Sequence, residues 1–465
     1  MKFLYNLNSK KFFVFNFALS LLLLIPLHFI LESRYAIFNT FGLLFLIFSF
    51  IAIFDFTLTY YIFLSLIFLP LIYVLRVHSS VIFAIFLLIS TLINFKGDLF
   101  TVVKNPLTKP LLIYFIITIP SFINTPAPLL SLRDYSNLIS LIIVFYVTII
   151  GFSTDIEMRN AFYIFICALF LHSIFVDYLG LMSSHRAFGL LGVYYIDFAG
   201  LGGVISFIAV IYTKGIKRIL MCVILVVITL GLILTQTRNA WFAFGFAIIT
   251  LLFFLIIKGK LFYIKRSSVI TLLLISISFV FIMVLFTGNV GASIEKRFDL
   301  KSQTVDADEN ADISQNSFAS RALIWHTAAM AYIEHPIIGI GAYSFKHISI
   351  MYYKIPKKLF QEFVQGRTPH VTYLQVLTET GIIGLLGFII FIISIVRFII
   401  KSLKCPHTEN DVVRSLMIIW SLIYILFSMF MTESWLYGQY TMWFGVLLGF
   451  LINNHKLLNL NPVKN

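Results

Sequence analysis

The stretch GRTPHVTYLQVLTETG, Gly366 to Gly381, sets Arg367, Pro369 and His370 at the mouth of a long apolar run. Thr368 has the side chain of an N-cap and Pro369 suits a first helical position, so the spacing predicts His370 in the first turn of a helix. The positive end of a helix dipole opposes protonation of an imidazole placed there. Such a neutral imidazole can accept a proton at neutral pH, as a general base must. The alternative is an interfacial histidine that only hydrogen-bonds a neighbour.

Arginines recur at matching positions. Arg34, Arg76, Arg133, Arg186 and Arg238 each fall in a short connection on one side of the predicted helices, and those connections hold no lysine. A guanidinium offers a fixed fork of donors suited to a diphosphate or a carboxylate, although a long side chain can also simply snorkel to an interface. Arg34 and Arg76 fit the second, structural role. In SRALIWHTAAMAYIEHP, Ser320 is placed as an N-cap, and Arg321 and Trp325 lie one turn apart on the same face of an amphipathic helix.

His370 together with Arg186, Arg238, Arg321 and Arg367 would suit one kind of reaction. A hydroxyl loses its proton to the base while a diphosphate departs, its growing negative charge met by fixed donors. No Asp-x-Asp pair and no histidine–carboxylate cluster with ligand spacing accompanies them, so neither a metal nor another cofactor is expected. The acidic stretch DADENADIS begins like a calcium loop, but Ala311 stands where the turn glycine belongs and Ser317 where the bidentate glutamate belongs. A solvated strip is expected instead. Glu379 is expected to bond within the helix bundle.

The elements that must position these residues follow from composition. The chain has 465 residues, 60% of them hydrophobic and only 12% charged, with 51 phenylalanines. That composition excludes a soluble enzyme, and apolar runs long enough to cross ~30 Å of hydrocarbon recur along almost the whole chain. The expectation is an all-α polytopic membrane protein of about 12–14 helices, near residues 11–31, 35–54, 56–75, 79–95, 111–124, 137–153, 160–180, 194–212, 219–235, 240–257, 268–287, 381–400, 412–431 and 437–453. Residues 1–287 form an N-terminal helix bundle and 373–465 a C-terminal group. Between them, 288–372 is a large extramembrane loop with two surface helices, the second in PKKLFQEFVQG.

Lysine and arginine collect in alternate breaks, among them Lys214, Lys217 and Arg218, then Arg397, Lys401, Lys404 and Arg414. Their bias sets both termini and those breaks on the cytoplasmic side and the large loop outside. The formal charge of +14 is accounted for by that topology, with no nucleic-acid motif. Cys167, Cys222 and Cys405 imply no disulfide framework. The small residues Gly381, Gly384 and Gly387 fit close helix packing. The absence of a phosphate-cradling loop argues against an ATP-driven pump, and the scarcity of mid-span charges argues against a lipid-linked glycan flippase.

Three segments, LTQTRNAWFAFG, SRALIWHTAAMAYIEHPIIGIGAYSF and TPHVTYLQVLTETGIIGLLGF, resemble the shared C-terminal region of the bacterial O-antigen ligase and polymerase superfamily. HRAFGLLGVYYIDFAG is similar to its upstream arginine motif. The resemblance implies an inner-membrane glycosyltransferase with its site at the periplasmic face, using a glycan carried on undecaprenyl diphosphate as donor. By it, His370 is the base, Arg186 and Arg238 hold the diphosphate, and Arg321 supports loop or substrate. A ligase would use a sugar hydroxyl of lipid A core as acceptor; a polymerase would use another lipid-linked glycan, and a protein O-oligosaccharyltransferase a protein. TQTR leans toward ligase. Two positions depart from the family pattern: Val371 stands where asparagine often follows the histidine, and Ile196 and Asp197 where a Pro-Asn pair is usual.

Overall fold

The computed structural model describes residues 60, 64, 73–74, 77–94, 104–182, 195–258, 317–405, 408–432 and 438–460. Apart from a two-residue antiparallel ladder, Tyr73–Val74 with Val77–His78, the described architecture is helical. In chain order come α1 (Ser79–Asn94), α2 (Thr108–Thr118, continued by a 3-10 turn, Ile119–Asn124), α3 (Pro128–Gly151), α4 (Asp155–Met182), α5 (Tyr195–Tyr212), α6 (Ile216–Leu234) and α7 (Arg238–Lys258). After them come α8 (Ser317–Glu334), α9 (Phe345–Ile348), α10 (Lys357–Phe363), α11 (Thr372–Leu403), α12 (Glu409–Ser428) and α13 (Gly438–Leu460).

Seven described helices, α3 to α7, α11 and α12, contain segments long and apolar enough to cross a membrane. The protein is an all-α polytopic membrane protein. The expected helices near 11–31, 35–54, 56–75 and 268–287 lie largely or wholly outside the described residues, as do Arg34, Arg76, Arg186 and the DADENADIS strip.

Helix order follows from which faces can be buried. α5 is interior almost along its whole length, packed by α6, α12, α7 and α4. Gly200, Gly202 and Gly203 allow this: a side chain at Gly200 would occupy the space of the Tyr424 ring, and one at Gly202 that of Leu169. α13 lies along α3, where Asn453 Nδ2 donates to the carbonyls of Thr148, Ile149 and Phe152 and so satisfies the end of α3.

At that same end of the bundle Arg414 is buried at 1% exposure, bonded to Asp155, to Asp411 at 2.7 Å and to Asn454 at 2.6 Å. Arg414 therefore ties α4, α12 and α13 together, a role that its place in a basic break did not disclose. Thr408 and Asp411 close a reciprocal capping box in front of it.

The opposite end carries a cap. α8, α9 and α10 enclose a small apolar core of their own, with Ile324, Ala328, Ile340, Phe345, Phe360 and Phe363 buried within it. Both expected surface helices are present. The first runs Ser317–Glu334, so Ser320 lies inside it rather than capping it.

Candidate functional site

The loop that carries His370 begins where α10 stops. Gly366 takes φ 73°, and Arg367, exposed, donates from Nη2 to the Glu362 carbonyl at 3.1 Å. Thr368 and Pro369 are buried behind it. His370 is not in the first turn of a helix: it stands at φ 58°, in the left-handed region, and α11 starts two residues later with extended Val371 as its N-cap. The reason is tertiary. Thr372 N–H donates to the Met429 carbonyl at 3.1 Å and its hydroxyl to the Thr432 carbonyl at 2.7 Å, so the exit of α12 satisfies groups that a side-chain cap would otherwise serve.

A left-handed non-glycine residue costs roughly 1–3 kcal/mol and persists only where its surroundings over-determine it. Here they do so from two sides. Beyond the hold on Thr372, Trp325 Nε1 donates to the Pro369 carbonyl at 2.8 Å, which fixes the peptide leading into His370. Arg321, half-buried, lies one turn before Trp325 on α8, so the helix that carries it is docked on the histidine loop.

Arg238 arrives by a parallel route. The TQTRNAW segment forms a tight turn between α6 and α7, with Gln236 at φ 51° and Trp241 Nε1 donating back to the Leu232 carbonyl at 2.9 Å. Asn239 Nδ2 then donates to the Met431 carbonyl at 2.8 Å. The first turn of α7 and the first turn of α11 thus share one landing, residues 429–432 at the exit of α12. That landing brings the starts of the Arg238 and His370 segments to one end of the bundle. Arg367 shares the His370 loop and is turned back on α10.

One arrangement was not legible in advance. α11 is interrupted at Gly381, whose φ of 66° and ψ of −170° break the helix between Thr380 and Ile382. The segment HPIIGIGAYSF fills the interruption. Ile340 N–H donates to the Thr378 carbonyl at 3.2 Å and Gly341 N–H to the Glu379 carbonyl at 2.9 Å, while Ile382 and Ile383 N–H groups donate to the Pro336 and Ile337 carbonyls at 2.9 and 3.3 Å. Backbone groups released by the break find partners, as a buried break near a membrane requires. The glycine stripe is therefore mixed in purpose: Gly387 faces Tyr114 and Ile117 of α2 in close packing, whereas Gly381 is the break itself.

The inserted segment is held from its far side too. Asn124 Nδ2 donates to the Gly339 carbonyl at 2.8 Å, the Ala342 N–H donates to Ser121 Oγ at 2.9 Å, and Ser344 meets Ser131 at 2.6 Å. Buried Asp134 accepts from Lys346 Nζ at 2.8 Å and from Arg133 Nε at 3.2 Å, with His347 Nε2 at 2.9 Å. Arg133 is thereby bonded to its own neighbour in sequence. Glu379 is bonded within the protein, as expected, though to the inserted segment rather than to a neighbouring span: it accepts from the N–H groups of Tyr343 at 2.9 Å and Phe345 at 3.1 Å. Burial pushes the Tyr343 phenol well above its ordinary pKa, so it stays neutral.

Such an end can do a definite kind of chemistry. It combines an imidazole on a strained, doubly fixed loop with guanidinium-bearing segments docked around it. Residues 223–389, from α6 through the break in α11, match the family model described as O-Antigen ligase, and that stretch contains Arg238, Arg321, Arg367 and His370. The match supports the O-antigen ligase and polymerase superfamily. No curated protein matches the chain.

Proposed function

From a polytopic helical protein whose residues 223–389 match the O-antigen ligase family, we propose an O-antigen ligase: a metal-independent glycosyltransferase that moves a glycan from undecaprenyl diphosphate to a sugar hydroxyl of lipid A core. The site then faces the periplasm from the bacterial inner membrane, with residues 288–372 as the periplasmic loop and both termini in the cytoplasm. The carrying observation is His370 itself, kept in a left-handed conformation by bonds on both flanks at the end of the bundle where α7 and α8 bring Arg238 and Arg321.

In this mechanism the His370 imidazole takes the proton of the acceptor hydroxyl as the oxygen attacks the anomeric carbon of the donor. The bond from that carbon to the diphosphate oxygen breaks, and its electron pair leaves with the diphosphate. Guanidinium groups of Arg238 and Arg321, with Arg186 from the upstream motif, meet the developing charge, and Arg367 joins them only by leaving the Glu362 carbonyl. One displacement inverts the anomeric centre. Undecaprenyl diphosphate is released.

The choice of acceptor is tested by offering purified protein a defined glycan-diphosphate-undecaprenol donor with lipid A core in one tube and a lipid-linked glycan in another. Product on lipid A core is expected. A ladder of longer lipid-linked chains would make the protein a polymerase, transfer only to a peptide would make it a protein O-oligosaccharyltransferase, and donor movement without transfer would make it a flippase.

A further inference from the structure

Glu379 is a buried carboxylate, 3% exposed, about two helical turns beyond the start of α11 and absent from the mechanism above. Ionisable groups at such depth are rare because desolvation disfavours them, so what Glu379 holds is informative. Both of its oxygens face backbone donors. Oε2 accepts from Tyr343 N–H at 2.9 Å and Oε1 from Phe345 N–H at 3.1 Å, while Gln375 Nε2, one turn earlier on the same helix, lies 3.2 and 3.3 Å from the two oxygens.

These bonds grip a strained point. Tyr343 sits at φ 60°, one of three non-glycine residues with positive φ among the described residues. The other two are Gln236 at 51°, two residues before Arg238, and His370 at 58°. Left-handed tyrosine is disfavoured by its Cβ, and a buried acceptor that fixes its N–H supplies the compensating interaction.

The consequence reaches His370 through nine residues of helix. Thr372–Thr380 is a short rod between the histidine loop and the break at Gly381. Its outer end is bound to the exit of α12 by Thr372, and its inner end is bound to the segment 336–345 by the backbone bonds at the break and by Glu379. Thr378 adds a bond from its hydroxyl to the Ala328 carbonyl of α8, the helix that also carries Arg321 and Trp325. Removing the carboxylate leaves the backbone bonds at the break in place but strips the Tyr343 and Phe345 N–H groups of their acceptor, so the strained turn of the inserted segment loses its side-chain hold on the rod.

We propose that Glu379 is a positioning residue for the transfer reaction: by holding Tyr343 and Phe345 in the break of α11 it fixes the rod that presents His370 toward the arginine-bearing helices. The inference rests on the proposed transfer activity.

The test is Glu379→Gln, which keeps length and one oxygen but turns an NH2 toward a backbone N–H, so one bond is lost and two donors face each other. Glycan transfer is expected to fall about tenfold or more in kcat with KM for the lipid-linked donor within about twofold, because alignment rather than binding is disturbed. Amide hydrogen exchange at Tyr343 and Phe345 should speed up in the same protein, a readout that needs no substrate. Gln375→Met is the milder companion: Gln375 Oε1 has no hydrogen-bond partner among the described residues, so the variant removes the donor that orients the carboxylate, and kcat should fall about threefold at unchanged KM.

Unchanged kcat in both variants, or loss of kcat matched by an equal loss of folded protein, would overturn the proposal. An inactive wild type with slow exchange at Tyr343 and Phe345 would instead count against the transferase function and leave the clamp itself standing.

Discussion

At the scale of single residues, the proposed transfer gives Arg238 and Trp325 different parts. Arg238 opens α7, half-buried, on a turn that the left-handed Gln236 and the Trp241 bond to Leu232 hold, so its backbone is fixed in place. Arg238→Lys is expected to lower kcat/KM by about tenfold or more, since a lysine cannot reproduce a bidentate fork and hydrogen bonds to charged groups are worth roughly 1.5–3 kcal/mol each. Steady-state transfer assays check it; near-normal transfer would mean that charge alone suffices there. Trp325 acts at one remove. Trp325→Phe keeps the ring packing and deletes the bond to the Pro369 carbonyl, and should reduce kcat about threefold to tenfold at unchanged donor KM. A change confined to KM would place Trp325 against the donor instead.

At the scale of elements, much of the helical pattern could be read in advance, and its misplaced helix starts share a cause. Apolar runs reported where lipid begins and ends, while helical hydrogen bonding continues past that edge. α3 starts at Pro128 rather than near 137 because Ser131, Asp134 and Asn137 look like a polar break but are buried against neighbouring elements. In α11 the apolar span begins near 381, but the helix reaches back to Thr372, three residues short of the start expected at Pro369: Gln375, Thr378 and Glu379 are polar in composition and interior in place. The break at Gly381 left a signal only in the density of glycine in HPIIGIGAYSF, whose partner could not be named without the structure. His370 and Arg238 are candidates from residue type and motif, whereas Trp325 and Glu379 bond backbone groups, which no side-chain pattern records. Gly381→Ala sharpens this point. A Cβ there would lie 2.2 Å from the Ile337 carbonyl oxygen, on a residue already at φ 66°, so the inserted segment must leave the break. Transfer should drop at least tenfold, and protease cleavage between residues 335 and 345 should become fast; a variant that resists cleavage as the wild type does would contradict the role given to the break.

At the scale of the whole molecule, two cores are joined end to end. The bundle core runs through α5 and α13, and the smaller cap core lies under α8, α9 and α10; the segment in the break of α11 couples them. The far end of the bundle is closed by Arg414 with Asp155, Asp411 and Asn454. Because breaking a buried charge network from one side leaves uncompensated charge, Arg414→Ala should destabilise by about 3–5 kcal/mol and lower the melting temperature in detergent. Activity per folded molecule should stay within about twofold, since α12 separates that network from the landing at 429–432. A large loss of specific activity at wild-type stability would reveal a coupling along α12 that the present geometry does not require.

The central claim is that His370 is the base in glycan transfer, and its conformation selects the variant to use. Alanine would add the strain of a left-handed residue to the loss of the imidazole, whereas asparagine tolerates φ near 58° and cannot serve as a base. The decisive measurement is therefore glycan transfer from a lipid diphosphate donor by purified wild type and His370→Asn, with matched melting temperatures. A loss of about 100-fold or more in kcat, at retained stability and donor KM, is the predicted result. Transfer within about threefold of wild type would contradict the account and remove His370 from the chemistry.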